Sequence, residues 1–371
     1  MYIALIIILF VFLIAHNRAQ TQHVLLQKNN LSMKKNNVSL ATLLFPVTLI
    51  WFMLCFKSLS VGADTLVYKS FYENTVDSYF NGDREWGIFN QYLYYFTFKT
   101  LKDFGFSFRA TCILIYSCAI IPIYFLLKQY TRNPVQALLF FVCMGAFGMY
   151  ASALRQIMAA TVGYFAMQNQ IRENTAKRNF VSLIIILCAM LIHNTAIIML
   201  IPWFLTFVLK TNRRVMLAGA VFAILSLVVP ISLIMRISQY VIGDTYFAEF
   251  GVSSNVFLIA VYVCMMIAII WGYRNQTQKN REDCVLLIYA FSSIILMIFS
   301  SKLYILSRLS FYFLLPLCMV FSNAIDIISK EDKIGKIIRF LAIGMFILFF
   351  VVSLRDNTLK TSDYRFMWQD A

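Results

Sequence analysis

The sequence predicts an all-α, polytopic integral membrane protein, a single domain over residues 1–371 with about 12 transmembrane or re-entrant helices around an outward-facing cavity. Three observations carry that prediction. The chain is 61% hydrophobic and 13% charged with a mean hydropathy of +0.74, more apolar surface than one soluble core can hide. Its apolar residues run in long blocks divided by short polar connections. Its net charge of +15 gathers on alternate connections, the pattern of a chain that crosses a bilayer repeatedly rather than of one that binds nucleic acid.

Taken in order, Tyr2 to Ala15 is apolar, with no basic residue before it and Arg18, Lys28, Lys34 and Lys35 after it. That order argues for a first helix running outside to inside and against a cleaved signal peptide. Further spans are expected near 41–57, 109–127, 135–153, 156–171, 179–193, 195–209, 215–236, 255–273, 283–300, 308–328 and 336–354. The connections this places inside add Lys128, Arg132, Arg172, Lys177, Arg178, Lys210, Arg213, Arg214, Arg274, Lys279, Arg281, Lys330, Lys333, Lys336 and Arg339 to those first four. These are 19 of the 32 basic residues, against Glu173, Glu282, Asp283, Glu331 and Asp332, so the inner face holds nearly all the net charge.

Two apolar blocks are then too long for one crossing and end in basic clusters on the same side. Phe180 to Leu209 must turn at His193-Asn194-Thr195, with arms of roughly 21–24 Å at about 1.5 Å per residue, shorter than the roughly 30 Å hydrocarbon core. The same logic folds 135–171 into a hairpin turning near Ser152 to Arg155. Arg155 and His193 therefore both fall at outward turns. The main outer connections are an extracytoplasmic loop over 58–108 and a second over 238–254. Within the first, Trp86, Phe89, Leu93 and Phe96 recur at helical spacing, with Gln91, Thr97 and Lys99 off that face, as in an amphipathic helix lying at the interface.

The eight cysteines lie mostly in apolar runs with no C-x-x-C and no His/Cys cluster, so they read as small fillers, and no metal or cofactor is expected. No P-loop, H-E-x-x-H or G-x-S-x-G occurs. The chemistry, if there is any, rests on a few outward polar residues. A guanidinium in an apolar run costs several kcal/mol unless it meets water or an anion, so Arg155, beside Gln156, is either a headgroup or packing contact or an anion contact. Asp64 and Thr65 suit a helix N-cap as well as a site beside Tyr68. Arg84 and Glu85 precede the amphipathic helix, where a carboxylate also suits the helix dipole. His193 could be a buried hydrogen-bonding residue, and Lys302 and Arg308, with Tyr304 and Ser307, could anchor a helix rim. Together they outline a cavity whose fixed cations suit a phosphate or pyrophosphate, with a carboxylate or imidazole able to take a proton.

The order of motifs resembles the EpsG family of bacterial polysaccharide polymerases, related in role to the Wzy polymerases. The matching residues are Gly62-x-Asp64-Thr65-x-x-Tyr68, Glu85-x-Gly87, Leu154-Arg155-Gln156 followed by Ala159, the Leu191-Ile192-His193-Asn194-Thr195-Ala196 turn and Ser307-Arg308, over roughly residues 1–330. The resemblance implies a metal-independent, multi-pass glycosyltransferase of the bacterial plasma membrane. It would join undecaprenyl-pyrophosphate-linked oligosaccharide repeats at the outer face during exopolysaccharide, capsule or O-antigen synthesis. A flippase and a chain-length regulator would be its protein partners, membrane lipid its surroundings, and nucleic acid no part of its work. In that frame Arg155, Arg308 and Lys302 would hold the pyrophosphate, while His193, Asp64 or Glu85 would serve as base. Gln156, Thr65, Tyr68 and Arg84 would make further substrate contacts. The alternatives are a glycan ligase or O-acyltransferase, and a lipid-linked oligosaccharide flippase or transporter.

Overall fold

A computed structural model describes residues 2–28, 37–77, 91–173, 175–230, 232, 256–276, 280–302, 305–331, 333–353 and 364–369. The described residues are helical almost throughout and contain no strand, as an apolar chain must be when every backbone group needs a partner within its own segment. The helices are α1 (Tyr2–Lys28), α2 (Asn37–Cys55), α3 (Thr65–Ser70), α4 (Tyr92–Asp103), α5 (Phe108–Tyr130), α6 (Pro134–Cys143), α7 (Ala146–Ser152), α8 (Leu154–Arg172) and α9 (Ala176–Ile192). After a 3₁₀ segment, Asn194–Met199, come α10 (Leu200–Val208), α11 (Asn212–Val228), α12 (Val256–Tyr273), α13 (Arg281–Ser300), α14 (Ile305–Ser310), α15 (Leu314–Glu331) and α16 (Lys333–Ser353).

Four described stretches are long and apolar enough to cross a membrane: Phe108–Tyr130, Arg281–Ser300, Leu306–Lys330 and Lys333–Ser353. The pair α6 and α7, bent by 63°, makes a fifth if it is one span. Length and apolarity thus support four or five spans, and the expected number of about 12 rests on the sequence alone. Several other expected spans are helices too short or too polar to qualify. The second outer loop, 238–254, lies outside the described residues.

The residues form two compact units: Met1–Thr161 with Met190–Asn194 and Phe340–Ala371, and Val162–Ala189 with Thr195–Arg339. In the first, α2 packs on α1 and α5, and α6 packs on α1 and α5. Single polar bonds fix the register: His16 Nδ1 lies 3.0 Å from Thr42 Oγ1, and Trp51 Nε1 donates to Ser117 Oγ at 2.9 Å. Asn133 caps α6 by accepting from the Gln136 amide, and Pro134 occupies the first helical position, where its missing N–H costs nothing. Gly145, at φ +85°, supplies the left-handed residue at the break between α6 and α7. In the second unit α13 is central, packed by α10, α11, α12, α14 and α15.

The stretch between α2 and α5 is held by short contacts. α3 continues through a π-helical turn, Phe71–Thr75, whose Tyr72 hydroxyl donates to Phe106 O at 2.8 Å and accepts from Thr111 Oγ1 at 3.1 Å. Lys102 pairs with Asp77 at 2.6 Å. The amphipathic helix begins at Tyr92 and buries Tyr94 and Phe98 against the protein, a second apolar side beside the Leu93 and Phe96 face. Phe96 is exposed and stacks on Tyr92, as suits a helix with lipid on its other side. Trp86 and Phe89 lie outside the described residues.

Candidate functional site

Helix α7 ends at Ser152, Ala153 leaves helical geometry at φ −99°, ψ 65°, and α8 begins at Leu154. Arg155 therefore sits in the first turn of α8, where unpaired amides and the helix dipole already make the potential positive. Nothing in the described chain offsets it: no described carboxylate lies within ion-pair distance of Arg155. Its guanidinium carbon lies 5.5 Å from the centre of the Tyr68 ring and 5.7 Å from that of Tyr94, and Nη1 donates to Gln91 Oε1 at 2.7 Å. Its Nε is buried with no hydrogen-bond partner among the described residues. Two aromatic faces and a neutral amide hold the cation in place, and among the described residues no carboxylate compensates its charge.

Three elements supply this cradle. Tyr68 comes from α3 and is 7% exposed, with its ring against the Arg155 guanidinium. Burial raises the phenol pKa, with Arg155 pulling against it, so Tyr68 is neutral at physiological pH. Tyr94 comes from α4, is 1% exposed, and burial pushes its phenol well up. Gln91 precedes α4 in a left-handed conformation at φ 56°, unusual for a residue with a side chain, and makes no side-chain cap. The amide that could have capped the helix instead reaches Arg155.

Asp64 starts α3 without a side-chain cap hydrogen bond, so its half-exposed carboxylate is not spent as an N-cap. It acts electrostatically on Tyr68 one helical turn along. Thr65 is committed to the fold: its buried hydroxyl lies 2.9 Å from Val61 O and 3.2 Å from Ala151 O, and accepts from Lys57 Nζ at 2.8 Å. Gly62 is forced by two facts, a φ of +96° and a position where a Cβ would lie 2.2 Å from Ala151 O. The Gly62-x-Asp64-Thr65-x-x-Tyr68 motif is thus a turn pressed onto the end of α7, which sets the Tyr68 ring against Arg155 and leaves the Asp64 carboxylate uncapped one helical turn before that ring.

The remaining described candidates lie on α8, at the end of α9 and in the second unit. Gln156 is buried on α8. His193, half-buried, occupies the joint between α9 and the 3₁₀ segment. In the second unit Thr195 Oγ1 lies 2.9 Å from Tyr312 OH, and Arg308 is half-buried on α14. Lys302 has a different task from the one expected. Its Nζ donates to Ser226 O, Leu227 O and Val229 O at 2.9, 2.8 and 2.6 Å, capping the carbonyl end of α11 with all three of its hydrogens. Arg84, Glu85 and Tyr304 lie outside the described residues. Among the described residues no three His, Cys, Asp or Glu side chains come together as metal ligands would.

Sequence reasoning missed Gln91, Tyr94 and Lys57. Tyr94 and Phe98 share a face at i, i+4, a signal the Leu93 and Phe96 spacing competed with. The family model for the EpsG family matches residues 40–366. The chain belongs to the EpsG family. No curated protein and no solved structure matches it. Membership makes this EpsG-family chain a multi-pass membrane protein with a polysaccharide-polymerase-like role. The match also runs beyond residue 330 to Phe366, taking in the C-terminal segment.

Proposed function

We propose that this EpsG-family protein polymerises lipid-pyrophosphate-linked oligosaccharide repeats at the outer face of the bacterial plasma membrane. The observation that carries the reading is Arg155, a cation in the first turn of a helix, braced by Tyr68 and Tyr94, with no described carboxylate within ion-pair distance and the uncapped Asp64 one helical turn before Tyr68. Such an arrangement suits an anionic leaving group on one side and a departing proton on the other. In the reaction a sugar hydroxyl of the incoming unit attacks the anomeric carbon at the lipid-linked end of the growing chain. The new carbon–oxygen bond forms as the bond from that carbon to the phosphate oxygen breaks. The electron pair leaves on the lipid pyrophosphate, held by Arg155, and the hydroxyl proton passes to Asp64, with His193 and Glu85 as the other candidate bases.

Arginine takes the charge-neutralising part in this scheme, and its planar fork matches two phosphate oxygens. Arg308 enters through the Ser307-Arg308 motif alone. Lys302, with its donors spent on α11, is not among the donor-substrate contacts. The test is the glycan content of a deletion strain, separated by size. Single lipid-linked repeats should accumulate, accessible at the outer surface, with long polymer absent. Polymer of normal length lacking only a substituent would make the protein an acyltransferase. Units trapped on the inner leaflet would make it a flippase.

A further inference from the structure

Lys57 lies just past the end of α2 and is 4% exposed. Burial pulls its pKa down to about 8, so the site bears a real cost for holding an ammonium there. Two of its three donors are used within eight residues: Nζ donates to Val61 O at 2.6 Å and to Thr65 Oγ1 at 2.8 Å. Thr65 carries the connection onward, its Oγ1 lying 3.2 Å from Ala151 O in α7. The Ala63 amide adds a bond to Ser152 Oγ at 3.2 Å, and Gly62 lets the two backbones meet. The backbone around Lys57 is anchored as well. Its carbonyl accepts from Arg109 Nη1 at 3.1 Å, the Ser58 amide donates to Arg365 O at 2.8 Å, and the Met367 amide donates to Phe56 O at 3.0 Å. One lysine therefore joins the end of α2, the turn before α3 and the end of α7, from which Arg155 is only a few residues away.

We propose that Lys57 is a positioning residue: its ammonium, acting through Thr65, clamps the Gly62–Thr65 turn onto the end of α7 and so fixes Asp64 and Tyr68 relative to Arg155. The proposal rests on Arg155 and Asp64 serving as donor contact and base. It makes a divided demand on the kinetics. Arg155 stands on α8 and, still braced by Tyr94 and Gln91 when the clamp opens and Tyr68 shifts, keeps its hold on the donor, whereas the base side moves. Misplacement by about 1 Å costs on the order of 100-fold in turnover.

The experiment compares Lys57→Met, Thr65→Val and Thr65→Ser with wild type, using the full-length protein in detergent or nanodiscs. Hydrogen–deuterium exchange of the peptide covering residues 58–66 reports the clamp without reference to any reaction, and polymerisation of lipid-linked repeats gives kcat and KM. Lys57→Met and Thr65→Val should lose protection in that peptide and about 100-fold in kcat, with the donor KM within about threefold, and Thr65→Ser, which keeps the hydroxyl, should behave as wild type. Thr65→Val is nearly isosteric, so it decides the matter if Lys57→Met does not fold. Wild-type protection in both variants, or lost protection with wild-type kcat, would overturn the proposal, as would a donor KM raised tenfold at unchanged kcat. If wild type proves to make no polymer, the exchange result still decides the clamp and only the reading of Arg155 falls.

Discussion

Arg155 meets two rings and an amide in the first turn of α8, where a buried guanidinium would ordinarily be matched by an acid. Each cation–π contact contributes about 0.5–2 kcal/mol, enough to orient the group and too little to neutralise it. Gln91 holds the remaining contact from a left-handed backbone that costs roughly 1–2 kcal/mol for a residue with a Cβ. A neutral amide is also a weaker acceptor than a phosphate oxygen, whose charge-assisted bonds are about twice as strong. Gln91 is therefore a partner that an anionic substrate can displace. Replacing it with Glu sets a carboxylate against Arg155 and should raise the donor KM on the order of tenfold. A KM at or below wild type in Gln91→Glu would remove Arg155 from the donor site. At this scale the sequence was legible where charge is rare. Arg155 stood out because it interrupts an apolar run, and Asp64 and Tyr68 because they follow a span directly. Gln91, Tyr94 and Lys57 did not, since an amide, one aromatic among many and a lysine at a membrane edge carry no signal until the chain folds around them. Thr65 was recognised, but its bond to Lys57 was not, because nothing in the sequence announces that Lys57 reaches it.

At the scale of elements, charge counting located the turns. Both long apolar blocks break where the basic clusters at their ends require, between Ser152 and Leu154 and at His193. The bend at Met144 and Gly145 was not foreseen, because a break among apolar residues leaves charge and periodicity undisturbed. The amphipathic helix was found by its spacing, whereas its protein-facing residues Tyr94 and Phe98 were not, since a helix apolar on two sides shows both faces at helical spacing. The C-terminal segment escaped notice entirely. It follows the last apolar block, yet Lys57 and Phe366 form an antiparallel bridge, and the Tyr364 hydroxyl donates to Met53 O at 2.6 Å. Phe52, Phe366 and Trp368 complete the seam, with the last two stacked at 4.4 Å. The end of α2 and the tail therefore share one side of the membrane. Cysteines placed at Ser70 and Gln369 in a cysteine-free background should both react with an impermeant maleimide on intact cells, while one at position 30 should not. Opposite labelling of 70 and 369 would break the tail contact, and labelling at 30 alone would invert the topology.

For the whole molecule, composition and the one-sided charge sufficed for an all-helical, multi-pass membrane protein, because a bilayer allows few other solutions for such a chain. The number of spans did not follow as firmly, since helices interrupted by polar residues or breaks fall below the length a simple crossing needs. Family membership supplies the polymerase-like role, and the proposed site for it, the cradle around Arg155, lies in the first unit. If a forked cation at position 155 holds the leaving pyrophosphate, charge alone cannot replace it. Complementing a deletion strain with Arg155→Lys tests this most directly, because the charge remains and the fork is lost. With the variant present in the membrane at wild-type abundance, long polymer should disappear and single lipid-linked repeats should accumulate. Polymer of wild-type length from that strain would contradict the account.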